Sequence, residues 1–249
     1  MALNGRVALI TGASRGLGRG IAVALAPEGV RLALVGRDRE KLSETAAEAR
    51  RLGAETEIFT ADVSDEAQVR QLERDVIARF GHVNILINNA GIALRKSCLE
   101  TTLDEWNSVL HTNLTSVFLL CRSFVPHMQG HGWGRIVNVA SLMGHVSASQ
   151  RTAYSATKSG VIGFTRALAI ELAADGIGVV SISPGLFATD LTEAILNDPV
   201  KRAQFMGGIL LGRPGRPEEV GKLVLYLCSE DSSFITGSDI LMDGGYSAQ

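Results

Sequence analysis

Tyr154 and Lys158 stand four residues apart in the run Tyr154-Ser155-Ala156-Thr157-Lys158. That spacing is just over one helical turn, so on a helix the two side chains share a face. A phenol ordinarily titrates at about pH 10, too high for proton transfer at neutrality. An ammonium beside it favours the phenolate, which predicts a lowered value for Tyr154 and makes it a candidate general acid/base. Ser141, 13 residues upstream, offers a hydroxyl to a substrate carbonyl or alcohol. A second cluster, Thr11-Gly12-Ala13-Ser14-Arg15-Gly16-Leu17-Gly18, spaces its glycines as GxxxGxG. Between a strand and a helix, such glycines allow a tight turn and close backbone approach. The free N–H groups at the helix start then face an anion, for which a pyrophosphate is the natural occupant.

The elements that must hold these residues alternate along the chain. Short β-rich apolar runs fall at 7–10, 31–35, 57–60, 84–87, 135–139, 177–183 and 239–242. Helix-period segments fall between them, at 17–25, 40–52, from a cap at Ser64, at 102–124 with a capping box from Thr102, and at 154–174. A last helix starts at Pro217. Strands separated by whole helices need crossover connections, which predicts an α/β fold. The expected form is one doubly wound domain over residues 1–249, a parallel seven-stranded sheet with helices on both faces. Ser141 then lies beyond the C-terminal end of the fifth strand, the edge where ligands bind in such sheets. Residues 186–211, with a helix at 191–196 followed by Asn197-Asp198-Pro199 and Gly207-Gly208, read as a mobile substrate flap.

The second strand ends Val35-Gly36-Arg37, with no carboxylate before Asp38. An acidic residue there would bind both ribose hydroxyls of NAD, whereas the Arg37 guanidinium suits a 2′-phosphate. Arg15 is positioned to approach the same phosphate, so the residues favour NADP(H) over NAD(H) on a Rossmann fold. Lysine plus arginine number 24 and aspartate plus glutamate 26, a balance of −2 that lacks the basic excess of a nucleic-acid protein. No apolar run approaches the roughly 20 residues that span a bilayer. Residues 1–6 lack the features of a signal peptide. Cys98, Cys121 and Cys228 are odd in number and far apart, and the five histidines form no metal-ligand pattern. A cytoplasmic protein without a metal is expected.

The motifs together resemble the short-chain dehydrogenase/reductase family over essentially the whole length. The glycine loop, Asp62-Val63, Asn88-Asn89-Ala90-Gly91, Asn113, Ser141, the Tyr154–Lys158 run, Pro184-Gly185 with Thr189, and Asp243-Gly244-Gly245 occur in the family's order. The resemblance implies Tyr154 as general acid in carbonyl reduction and base in alcohol oxidation. It implies that Lys158 lowers the phenol's pKa and holds the nicotinamide ribose, Ser141 orients the substrate oxygen, and Asn113 positions a relay water. It places the cofactor against Gly12, Ser14, Arg15, Gly16, Leu17, Gly18, Arg37, Asp62, Val63, Asn89, Ala90, Gly91, Pro184, Gly185 and Thr189, as well as Tyr154 and Lys158. Asn84 stands where similar proteins often carry aspartate, and Pro27 near the end of the first helix is also unusual.

Two subfamilies look near. Residues 88–95 and 184–220 resemble gluconate 5-dehydrogenase-like enzymes, in which reading Arg95 binds a substrate carboxylate and His145 makes a polar contact. Abundant 3-oxoacyl-carrier-protein reductases present basic residues where this chain has Gly132 and Asp175, and an aspartate there would repel an acidic carrier. The expected substrate is therefore a small polar ketone, hydroxy acid, polyol or sugar derivative. The intact Asn113, Ser141, Tyr154 and Lys158 set argues against a non-catalytic NADP(H)-binding sensor. Family members usually form tetramers, so a homotetramer is implied, with Phe118, Ile162, Phe164 and Leu168 as apolar positions suited to an interface.

Overall fold

The computed structural model describes residues 3–190 and 192–248. Seven strands, β1 (Val7–Thr11), β2 (Arg31–Gly36), β3 (Thr56–Thr60), β4 (Ile85–Asn88), β5 (Gly134–Val139), β6 (Ile177–Pro184) and β7 (Asp239–Met242), form one sheet. Their order is β3-β2-β1-β4-β5-β6-β7, and every neighbouring pair is parallel. The order reverses beside β1, between β2 and β4, and the carboxyl ends on either side of that reversal frame a ligand crevice.

The central strands are buried on both faces because helices cover both. Ala8, Ile10, Leu32, Leu34, Ile85 and Ile87 pack against residues of α1 (Gly16–Leu25), α2 (Arg39–Arg51) and α9 (Pro217–Cys228). Their neighbours Val7, Leu9, Ala33, Val35 and Leu86 point the other way, toward α3 (Glu66–Phe80), α5 (Ser116–Phe124) and α6 (Thr152–Leu172). Helices α1 and α9 cross at Gly20 and Gly221, where a Cβ on Gly221 would sit 2.5 Å from the Gly20 carbonyl oxygen.

Several elements differ from the sequence expectation for identifiable reasons. The long helix expected at 102–124 is α4 (Leu103–Leu110), a single π turn (His111–Thr115) and α5, with Thr102 and Glu105 forming the capping box. Such π turns recur at functional sites, and this one carries Asn113. Asp65 rather than Ser64 caps α3, because its carboxylate accepts from Ala67 N and Gln68 N while the Ser64 hydroxyl bonds Asp62. The residue at 191, where the flap helix was expected to begin, lies outside the described residues; α7 spans Glu193–Leu196. A second flap helix, α8 (Pro199–Met206), which the sequence reading did not include, starts here: Asp198 caps it and Pro199 takes its first position. Gly207 closes α8, and a Cβ on Gly208 would lie 2.5 Å from the Tyr246 ring, so Gly208 allows a close approach there. Ile162 is buried in the core and Phe164 and Leu168 pack against it, while Phe118 stays 44% exposed.

Candidate active site

The chain turns sharply after β1 at Gly12 and Gly16, whose φ of +63° and +55° lie in the left-handed region that favours glycine. The turn packs against the segment after β4, where Thr11 acts as a hook. Its hydroxyl accepts from Asn89 N and Ala90 N, and the Asn89 amide donates to the Thr11 and Gly12 carbonyls. Gly18 belongs to this packing, since a Cβ there would meet the Gly12 oxygen at 2.3 Å. Helix α1 begins with no acidic residue in its first turn and no side-chain cap. The N–H groups of Gly16, Leu17 and Gly18 make no hydrogen bond among the described residues. Free, aligned donors at the start of a helix are the donor set a pyrophosphate requires, so a dinucleotide fits here.

A cavity of about 390 Å³ runs from this turn along the carboxyl ends of the strands. Gly12, Ser14, Arg15, Gly16 and Leu17 line its start, Arg37, Asp62 and Val63 one side, and Asn89, Ala90 and Gly91 the middle. Ser141, Tyr154 and Lys158 line the far part with Arg95, while Pro184, Gly185 and Thr189 lead into the flap. Gly18, Asn113 and His145 were expected at the site and do not line it. Asn113 stands just behind the wall, accepting from Ile92 N at 2.8 Å and donating to Ile92 O at 2.9 Å, so it holds the strand-end segment in place. The expectation that His145 reaches substrate is corrected: its Nε2 lies 2.7 Å from Asp239 Oδ2. That carboxylate is fixed by the Ser181 and Ser183 hydroxyls, and it draws the ring away from the cavity.

Helix α6 presents Tyr154 and Lys158 on one face. Lys158 Nζ is buried, donates to Val139 O at 2.7 Å and sits 5.7 Å from the Tyr154 ring centroid. Burial pushes the Lys158 ammonium down to about 8. Burial also pushes the Tyr154 phenol above its ordinary value, opposed by the Ser141 hydroxyl and by the charge of Arg151. The lysine expected to lower the Tyr154 phenol does not enter this balance, in which desolvation of the phenolate outweighs the Ser141 hydroxyl and the Arg151 charge. Ser141, also buried, accepts from Met143 N at 3.1 Å. Arg37 lies 3.5 Å from Asp62 and Arg15 lies 3.3 Å from Asp190, so the two arginines expected at the 2′-phosphate both have carboxylate partners. At the position often held by aspartate, Asn84 Oδ1 accepts from Val7 N at 2.9 Å, so the amide oxygen supplies the acceptor.

Arg151, which no sequence motif singles out, also lines the cavity, its guanidinium carbon 5.9 Å from the Tyr154 ring centroid. Its only local signal is a place three residues before Tyr154.

The family model described as enoyl-(acyl carrier protein) reductase matches residues 12–247. The 3-oxoacyl-[acyl-carrier-protein] reductase of Aquifex aeolicus is 38% identical over 244 residues, covering 98% of each chain. This chain belongs to the short-chain dehydrogenase/reductase family. Among its short-chain dehydrogenase/reductase relatives, the cyclopentanol dehydrogenase of Comamonas testosteroni is 37% identical over 246 residues, 99% of this chain and 98% of that one. A solved structure provisionally described as a gluconate dehydrogenase, from Agrobacterium tumefaciens, superposes with a TM-score of 0.96 at 35% identity over 99% of this chain and 98% of that chain. As a short-chain dehydrogenase/reductase, the protein is an oxidoreductase of the carbonyl/alcohol pair, in a family that binds a nicotinamide cofactor. No helix among the described residues is long and apolar enough to cross a membrane.

Proposed function

We propose that the enzyme uses NADP(H) to interconvert a small polar ketone and its secondary alcohol, with Tyr154 as the general acid/base. The observation that carries this reading is one cavity lined by both the uncapped glycine turn and the Ser141, Tyr154 and Lys158 side chains. A bound nicotinamide supplies the hydride for the substrate carbon, or accepts it in the reverse direction. In reduction, Tyr154 Oη passes its proton to the substrate oxygen, and its raised pKa keeps that proton in place at neutral pH. Ser141 Oγ holds the same oxygen. Lys158, poised near 8, is held against Val139 O, from where it would bind the ribose of a bound cofactor. Asn113 acts one step back, through the Ile92 backbone.

The preference for NADP(H) over NAD(H) is supported at the end of β2. Arg37 and Arg15 are both exposed there, and the carboxylate of Asp38 is occupied by Lys41 N at 3.1 Å as the cap of α2. Initial rates with NADPH and NADH across keto acids, ketosugars, diketones and acyl thioesters test both choices. Turnover of a polar ketone with NADPH preferred is expected. Tight NADPH binding without turnover of any ketone would point instead to a cofactor sensor.

The 3-oxoacyl-reductase relatives favour a second reading, reduction of an acyl chain on a carrier protein. Against it, Gly132 and Asp175 lie beside one another: a Cβ on Gly176 would touch Gly132 O at 2.7 Å. The Asp175 carboxylate is partly exposed and accepts from Gln129 at 2.9 Å, an acidic group where the carrier-protein reductases present basic ones. Faster reduction of a carrier-bound 3-oxoacyl chain than of any free ketone would decide for the second reading. The protein is further taken as a cytoplasmic homotetramer, with exposed Phe118 on α5 as a contact; sedimentation of the purified chain checks the assembly.

A further inference from the structure

Arg151 is 8% exposed, yet its guanidinium makes no hydrogen bond and no ion pair among the described residues. Arg95, exposed on the same cavity, likewise has no carboxylate partner among them. A guanidinium stays charged, so Arg151, largely buried and without a carboxylate, presents its open nitrogens and its charge to the cavity it lines. These two cations moreover feel one another: burial first, and the charge of Arg95 next, hold Arg151 below the ordinary arginine value. The backbone keeps them together despite that repulsion. Lys96 N donates to Gln150 O at 3.2 Å, tying the residue after Arg95 to the residue before Arg151. Gln150 is also the one non-glycine residue with positive φ among those described, at +64°, a conformation retained where the surroundings impose it.

The carboxylates lining the cavity are all engaged elsewhere. Asp38 caps α2, Asp62 binds Ser64 and Arg37, Asp190 binds Arg15, and Asp243 binds Gly245 N and Ser247. Lys96 is likewise spent on Glu105 at 2.9 Å. The donors for a cofactor pyrophosphate are at the start of α1, whereas Arg151 lies beside the Tyr154 ring. An anion held by Arg95 and Arg151 therefore belongs to the molecule whose oxygen Tyr154 protonates.

We propose that Arg95 and Arg151 form a two-guanidinium clamp for a substrate carboxylate, which makes the reacting ketone a free oxo acid and its product a hydroxy acid. Arg151 forms the buried floor and Arg95 the exposed entrance. Each planar fork matches a carboxylate's two oxygens. This inference rests on Tyr154 as the acid, and it narrows the polar ketone above to an anionic one.

The test compares matched ketones in wild type, Arg151→Gln and Arg151→Lys: an oxo acid, its methyl ester, and the corresponding ketone carrying a phosphate monoester. Wild type is expected to favour the oxo acid over the ester by about 30-fold or more in kcat/KM, the loss typical of unpairing a buried charge. Arg151→Gln should bring that ratio below about threefold, and Arg151→Lys should restore part of it. Calorimetric binding of the oxo acid to the NADP⁺-loaded Tyr154→Phe protein, with and without Arg151→Gln, separates the clamp from the acid. Weaker binding in the double variant supports the clamp whatever Tyr154 does in turnover. Equal binding, or equal wild-type rates for acid and ester, overturns it. A preference for the phosphate monoester overturns the carboxylate assignment in favour of a phosphorylated substrate.

Discussion

The two ends of the cavity carry arginines in opposite circumstances. At the adenosine end, Arg15 and Arg37 are exposed and each leans on a carboxylate, Asp190 and Asp62. At the catalytic end, Arg151 and Lys158 are buried, and neither they nor Arg95 has a carboxylate partner among the described residues. An exposed, paired arginine gives an incoming anion only the difference between two partners, in water that screens both. A largely buried cation with no carboxylate beside it offers its whole charge-assisted bond, because the protein has already borne part of the cost of desolvating it. On the proposed function, the adenosine end would adjust which cofactor binds, and the catalytic end would decide which substrate reacts.

The largest effect belongs to the catalytic end. Tyr154→Phe removes the proton donor and is expected to lower kcat for ketone reduction by about 10²–10⁴-fold, with cofactor affinity measured separately by titration. A variant retaining near-wild-type rates would remove Tyr154 as the acid. The raised phenol pKa also gives a sign: reduction should hold steady through neutral pH and fall only in alkali, while oxidation should rise as the phenolate forms. Because Arg151's charge lowers the phenol, Arg151→Gln should move both limbs to higher pH.

Lys158 probes the same dry end through stability. Its pKa falls from 10.5 to about 8 on folding, so between those values the unfolded chain binds more protons and wild-type stability rises with pH. Below pH 8 the buried ammonium costs about 3 kcal/mol. Lys158→Met should therefore lose activity yet gain stability relative to wild type at pH 7, with the gain shrinking by pH 10. Denaturant unfolding at the two pH values measures it, and an equal difference at both would mean that the ammonium is not desolvated.

At the wet end the effects are smaller. Arg37→Asp should cut the NADPH/NADH preference by about tenfold or more, the worth of one charge-assisted hydrogen bond to the 2′-phosphate. Steady-state kcat/KM with each cofactor is the readout, and an unchanged ratio would leave Arg37 as a partner of Asp62 alone.

What the chain's letters disclosed follows the range of the interactions. The alternation of apolar runs and helix-period segments implies a parallel sheet, and β7 falls at 239–242 as its pattern requires. Tyr154 and Lys158 share a face because four residues make a turn. Arg151 depends instead on a loop 55 positions earlier being tied to Gln150, which no local pattern encodes. His145 is captured by Asp239, 94 residues away, so its place near Ser141 in sequence misled. The direction of the phenol pKa has the same origin: the neighbouring lysine is visible in sequence, and the burial that raises the phenol is not. Helix α8 was within reach, since Asp198 followed by Pro199 is a cap and a first helical residue, though the pair also reads as a break.

The smallest predicted effect tests the comparison at its most delicate point. Asp190, in the segment after β6 that leads into the flap, faces Arg15 across the cavity at 3.3 Å, and both side chains are well exposed. If Arg15 serves the 2′-phosphate, Asp190 competes for it and also repels the phosphate. Asp190→Asn keeps the shape, removes the charge and frees the guanidinium. An exposed ion pair contributes about 0.2–1 kcal/mol, so NADPH should bind more tightly by at most about fivefold, and the gain should fade as salt is raised. NADH lacks the phosphate and should gain nothing. Equal tightening of both cofactors would mean that Asp190 holds the flap over the cavity rather than screening Arg15, and the adenosine end would then be a latch as much as a selector.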